Sequence, residues 1–434
     1  MTNRKLVLIG SFLLFTALLV SKAFADDAKY AATYVKPLRS QSLKDPLSRI
    51  LAAPFELIRW PTSKSLYITE KEYLHKKTEW VYDYLKTHGI HPSFGTASGY
   101  GFFAGLKLDL PKLTGVRTKY PDLIFDTWIH YGNEINFQVG TEIGAERIAD
   151  TPFFSTLFFQ YEDRWEERFF GVGPDTSRGD GTTYGLETTT LAWNAGYEFS
   201  PSTKAAGHVI YRNNNVSEGE SDDFGQINRF PNLAGTQGDD ILSLVSDLTH
   251  DTRDYADAPT KGGFQKVVFG YNEGVKSSKA RYFTYSAEAG HYFKLGSTRR
   301  ILALHAQLEH RDEINGGYVP FYDMSKLGGY GAPPEVSRAL RGYGANRFYD
   351  ESLMLFNIEY RYAIWEYREI QLDAVPFFDL GQVFGEFSDM QFKDFRESYG
   401  VDFRLYVARS NFLNLSFAHG DEGTQIVFRS KKAF

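Results

Sequence analysis

KLGGYGAPPEVSRALRGYGANRFYD, residues Lys326–Asp350, decides how the rest of the chain is read. Its centre, Leu340-Arg341-Gly342-Tyr343, lies between Gly, Pro and Asn clusters that rule out a regular element. A loop of this length inside a compact domain is usually functional or disordered. Leu340, Tyr343 and Phe348 give it apolar side chains to bury, which a solvated linker lacks. Downstream runs Ala374-Val375-Pro376-Phe377-Phe378-Asp379-Leu380-Gly381-Gln382-Val383-Phe384. Side chains alternate along a strand, so Phe377, Asp379 and Gly381 share one face, while Phe378 and Leu380 point the other way. The first face carries one carboxylate. Arg341 on the loop and Asp379 on the wall are therefore expected to meet inside a closed container. The alternative is an exposed Arg-Gly-Tyr loop beside an ordinary strand.

From about Pro92 the sequence has a period of two. Ile135, Phe137, Val139, Thr141 and Ile143 alternate with Glu134, Asn136, Gln138, Gly140 and Glu142. Leu302, Leu304, Ala306 and Leu308 alternate with Ala303, His305, Gln307 and Glu309. Stretches of this kind, parted by turn residues, place an apolar side to lipid and a polar side to the lumen of a transmembrane barrel. A soluble sandwich would have shorter strands and a more uniformly aliphatic core face. Open strand edges cannot be satisfied in hydrocarbon, so the sheet must close. Residues 92–434 are read as an all-β transmembrane β-barrel with room for about 16 antiparallel strands of about 9–11 residues. The 28 Tyr and 36 Phe suit strands and the aromatic girdles of such a barrel.

The order LGGY…LRGY, then a strand with FFDLG, resembles the bacterial surface antigen family of outer-membrane barrels, the BamA and TamA superfamily. Its shared loop reads (V/L)-R-G-(F/Y) and its wall strand F-x-D-x-G. The resemblance implies that Arg341, within Leu340, Gly342 and Tyr343, is a loop arginine tucked into the lumen. Phe377 and Asp379, with Gly381 closing the motif, would be its anchors. Asp251-Thr252-Arg253-Asp254, followed by Pro259 and Gly262, resembles a D-T-R-D…P-x-x-G hairpin often found mid-chain in the family. Read physically, its charges suit a polar lumen edge and its Pro and Gly a tight turn; a solvated charged hairpin is the plainer reading. Arg168-Phe169-Phe170-Gly171-Val172-Gly173 resembles a further family segment less specifically.

The first 25 residues read as a secretory signal: Arg4 and Lys5, an apolar Leu6–Val20, and Ala23-Phe24-Ala25 as cleavage site. Residues 26–91 read as a helical periplasmic segment. Asp45-Pro46 would open one helix and Thr69-x-x-Glu72 another, with Gly89 as the stop. The best-known relatives carry periplasmic POTRA modules. Residues 26–91 are too few for more than one and lack its strand runs, so this is expected to be a short member without them. At the other end, Phe428 and a terminal Phe434 fit the signal by which the outer-membrane assembly machinery recognises a barrel.

The sequence holds no catalytic constellation. There is no cysteine, hence no disulfide or thiolate site. The ten His fall in no ligand spacing, and His305 and His310 face opposite sides of a strand. Gly95–Gly99 lacks the spacing of a nucleophile elbow, and Ser217–Asp223 lacks the order of a calcium loop. Without residues 1–25 the chain holds 45 basic against 54 acidic side chains, so nucleic acid is not an expected partner. The sequence therefore predicts a non-enzymatic barrel of the Gram-negative outer membrane, without cofactor or metal. Its expected partners are membrane lipid, the machinery that inserts it and, as clients, unfolded outer-membrane proteins. By resemblance it would insert or translocate polypeptide through a seam between its first and last strands. The alternative is a passive pore or structural barrel.

Overall fold

The computed structural model describes residues 80–434 other than 82–83, 86, 97–101, 133–136, 220–224, 231, 297–299, 331–338, 368–369, 408 and 430–434. The expected signal, the helices anticipated before Trp80 and the terminal Phe434 lie outside the described residues. Tyr84, Leu85 and Thr87 are helical. Gly89, at φ 69°, ends that helix, so the barrel begins at Ile90 rather than at Pro92.

In chain order the strands are β1 (Ile90–Thr96), β2 (Phe102–Asp109), β3 (Leu123–Gly132), β4 (Phe137–Ala145), β5 (Phe153–Phe169), β6 (Thr182–Ser200) and β7 (Thr203–Glu218). Then come β8 (Gly225–Gln226), β9 (Asp239–Asp251), β10 (Gly262–Gly274), β11 (Arg281–Lys294), β12 (Arg300–Glu313), β13 (Ser325–Leu327) and β14 (Phe348–Asp350). The last are β15 (Ser352–Tyr367), β16 (Ile370–Phe384), β17 (Arg396–Val407), β18 (Ser410–Gly420) and β19 (Gly423–Arg429). The short β8 runs parallel to β6, and β13 with β14 forms a ribbon inside the long loop. The other strands form a closed, antiparallel barrel of 16.

The wall is inverted relative to a soluble protein. On β12, Ala303, His305, Gln307 and Glu309 are buried toward the lumen, whereas Leu304 on the opposite face is 36% exposed. Ile129, Leu157, Leu191 and Leu244 likewise stand out from the wall. An exposed apolar belt around a polar interior is stable only where the surrounding solvent is hydrocarbon. No helix among the described residues is long and apolar enough to cross a membrane. Short turns such as 201–202 lie at one end, and the long connections 170–181, 219–238, 314–351 and 385–395 at the other. Short turns mark the periplasmic side and long loops the cell surface.

The barrel closes where β1 meets β19. β1 pairs with β2 from Ile90 to Thr96, and β19 pairs with β18 up to Gly423↔Gly420. Between β1 and β19 the described residues make a single pairing, Gly95↔Arg429. On the outside, Phe94 packs loosely against Phe412 and Phe428, with ring centroids 6.4 and 6.3 Å away. Backbone amides on the seam side of β19 should therefore exchange with solvent deuterium faster than those of β6, which is paired on both edges. Hydrogen-exchange mass spectrometry of the folded barrel measures this; equal protection of the two strands would mean a tighter seam.

Candidate functional site

The loop of residues 314–351 leaves β12 at the surface end and folds into the lumen. Its outer part is a ribbon: Ser325, Lys326 and Leu327 of β13 pair with Asp350, Tyr349 and Phe348 of β14. Leu340 N donates to Gly328 O (2.5 Å) and Gly329 N to Gly344 O (2.8 Å), which ties 328–329 to 340–344. Leu327, Leu340, Tyr343 and Phe348 pack on Leu353, Leu355 and Val383 of the wall. Each of these is at most 2% exposed, so the apolar side chains noted in the sequence do anchor the loop. Gly342 lies so close to the last hairpin that a Cβ would stand 2.6 Å from the backbone of His419 and Gly420. Only glycine fits there.

Below this apolar layer the lumen turns ionic. Arg341 is fully buried. Its Nη2 donates to Asp379 Oδ1 (2.5 Å) and its Nε to Oδ2 (2.9 Å), a two-pronged contact. Its own backbone N–H reaches the same carboxylate at 3.1 Å. Asn357 Nδ2 (2.7 Å) and Ser398 Oγ (3.3 Å) complete the donors around Asp379. The guanidinium carbon sits 3.5 Å from the centre of the Phe377 ring, within cation–π range. Gly381, two positions along the same face, leaves room for Leu327, whose Cδ2 would be 3.0 Å from an added Cβ.

The expected pair is thus one edge of a larger network. Arg341 Nη1 also donates to Glu359 (2.8 Å) and Asp402 (3.1 Å). Arg404 bridges the same two acids at 2.5 and 2.6 Å, and Arg361 reaches Glu359 at 2.9 Å. Three cations meet three carboxylates, all at most 2% exposed. Glu359 and Arg361 come from β15, Asp379 from β16, and Asp402 and Arg404 from β17. Reading the sequence missed all but Asp379. The signal was an acid and a base two apart, in Glu359-x-Arg361 and Asp402-x-Arg404; their meeting depends on register across three strands.

The other singled-out residues lie elsewhere. The hairpin joining β9 to β10 is at the short-turn end. Arg253 folds back on Asp251 (2.6 Å), and Asp254 accepts from the backbone N–H (2.8 Å) and hydroxyl (2.5 Å) of Thr260, beside buried Pro259. Gly262 adopts φ 84°, where a Cβ would stand 2.1 Å from Thr252 O. Phe428 faces outward on β19, 37% exposed. The Arg168–Gly173 segment meets the loop: Gly173 N donates to Tyr349 O (2.8 Å), and Phe169 is buried against Tyr349. Among the described residues no cluster of His, Cys, Asp and Glu suited to a metal ion occurs.

Where the loop rejoins the wall, Asp350 and Glu351 face Asp312, Glu313, Glu386 and Asp389. Burial, with Asp389 adding its charge, pushes the Asp350 carboxyl up to about 6. Burial, then Glu313, Asp350, Glu386 and Asp312, pushes Glu351 up to about 7.

Two outcomes follow for the heat resistance of the folded barrel, read by gel mobility. Arg341→Ala leaves the buried Asp379 without its cation, and breaking a buried pair costs about 3–5 kcal/mol, so the unfolding temperature should drop clearly. Arg341→Lys keeps the charge without the fork and should recover only part of it. An unchanged profile for both would remove the network's structural role. For the raised carboxyls the folded state binds protons more tightly than the unfolded chain. Their destabilising charge is fully present above the folded pKa and is relieved as pH falls. Heat resistance should therefore rise between about pH 8 and about pH 5, and Asp350→Asn with Glu351→Gln should flatten that dependence.

Comparison with known proteins agrees with this geometry. The family description of the Omp85 superfamily domain matches residues 131–428. BamA from Haemophilus ducreyi lacking POTRA domains 1-3 is similar in fold, with a TM-score of 0.56 at 12% identity, over 79% of this chain and 69% of that one. CdiB from Escherichia coli gives 0.53 at 11% identity, over 79% of this chain and 62% of the other. The chain thus spans less than two thirds of that CdiB. No curated protein matches the sequence. At such identities the solved structures speak for fold alone, but the superfamily match extends over most of the chain: it belongs to the Omp85 superfamily and is a barrel of the Gram-negative outer membrane.

Proposed function

We propose that this barrel inserts or translocates polypeptide through the seam between β1 and β19. The observation that carries the reading is the junction of β1 and β19, where the described residues make one pairing, Gly95↔Arg429, beside the ladders of β1 with β2 and of β18 with β19. A strand edge with unmade hydrogen bonds is a template for another strand. In hydrocarbon the drive to fill it is stronger, because no water can satisfy those groups. An unfolded outer-membrane protein supplies the missing strand. The reading needs no covalent step, metal or cofactor: the gain is backbone hydrogen bonding and burial of the client's apolar face in lipid.

The tucked loop supports this reading by stiffening one side of the seam. Arg341 ties together β15, β16 and β17, while Tyr343 Oη donates to Asp421 (3.1 Å) and Arg347 to Glu422 (2.7 Å) at the tip of the β18–β19 hairpin. The final strands then form a braced panel, and the weak junction with β1 is the place that yields. A passive pore is the rival reading, and a lumen occupied by this loop and its ion network favours it less.

The test adds a denatured small outer-membrane barrel to liposomes holding the purified protein. Faster folding than in empty liposomes is expected, and it should vanish when Phe94→Cys and Phe428→Cys are joined by a thiol cross-linker. The chain has no cysteine of its own to interfere. No acceleration, together with steady ion conductance across the same vesicles, would replace the proposal with the pore.

A further inference from the structure

The connection 385–395 between β16 and β17 does not stand clear of the barrel. By alternation, His310, Ser352, Gln382 and Phe384 point to the lipid side, like Leu304, Ile358 and Phe378, which are 36%, 47% and 38% exposed. These four are instead buried, at 8%, 0%, 2% and 3% exposure. The connection meets three of them, His310, Ser352 and Phe384. Ser352 Oγ donates to Gly385 O (2.7 Å) and thereby accepts from His310 Nδ1 (2.7 Å). The Phe387 ring lies 4.8 Å from His310 and 5.9 Å from Phe384. Further along, Phe395 packs against Phe356, a lipid-facing residue of β15, and Phe392 stacks on Phe395.

The cover has an apolar outer surface of its own. Phe387 is 51% exposed and Phe392 is 85% exposed. We infer that this loop lies against the lipid face of the wall and inserts Phe387 and Phe392 among the acyl chains at the surface-side boundary of the membrane. Two things point to lipid as the occupant. The loop is seated on wall positions whose direction is already toward lipid, and its rings continue the apolar surface of Phe356. The polar His310 and Ser352 fit the same arrangement, because a lipid-facing row tolerates them only when something shields them. Aromatic rings are favoured at the boundary between headgroups and hydrocarbon.

The absence of native cysteine makes the test direct. The full chain, as Phe392→Cys carrying a nitroxide, is folded into vesicles of phosphatidylethanolamine and phosphatidylglycerol. Collisions with oxygen, which concentrates in hydrocarbon, are compared with collisions with a water-soluble nickel chelate. The oxygen-to-nickel ratio should be several-fold higher than for a nitroxide at Asp180→Cys, whose native side chain is 64% exposed in another surface loop. A nitroxide at exposed Gln391 reports the same loop should the first variant fold poorly, and its ratio should also exceed that at Asp180. Equal ratios would place the loop in water and overturn the inference. Dipolar broadening between labels would do so in favour of a second copy of the chain.

Discussion

One carboxylate holds the interior together. Asp379 takes hydrogen bonds from the side chain and backbone of Arg341, from Asn357 and from Ser398. A charge enclosed so completely is tolerable only when every lone pair is used and the opposite charge is adjacent. Because the donors come from the loop and from strands on both sides of β16, satisfying that one acid fixes the loop's depth and the register of three strands. Buried ion networks give modest net stability once desolvation is subtracted, and their effect here is chiefly geometric. The apolar cluster above supplies burial, and the network below supplies position.

Much of this was legible in the sequence. The two-residue period of Leu302–Glu309 fixed which side of β12 meets lipid, because alternation is a property of the strand itself. Arg341 and Asp379 could be paired because each is the lone charge in a motif with an apolar setting. Glu359, Asp402 and Arg404 could not be placed beside them. Their sites depend on the pairings Glu359↔Phe377 and Asp402↔Val375, a long-range register that no local pattern encodes. The same limit applied to the 385–395 connection: Phe387 and Phe392 read as ordinary loop residues until the wall positions beneath them were known.

The seam differs from the rest of the wall in how its parts are restrained. On one side stands β19, held by β18, by the loop at the hairpin tip, and by Tyr330, whose ring lies 4.6 Å from the Arg429 guanidinium. On the other stands β1, which among the described residues pairs along β2 from Ile90 to Thr96 and meets β19 at Gly95↔Arg429. The panel from β15 to β19 is braced by the loop and the ion network as well as by its backbone ladders.

Strand length adds a consequence of a different kind. β5 and β6 have 17 and 19 residues. At about 3.4 Å per residue and a tilt of about 40°, they rise about 45 Å, well beyond a hydrocarbon layer of about 30 Å. Their surface ends carry the buried Phe169 and Tyr184, which pack on Phe321 and Tyr349 of the long loop. The wall here reaches past the membrane, and the excess shelters the loop from the water outside.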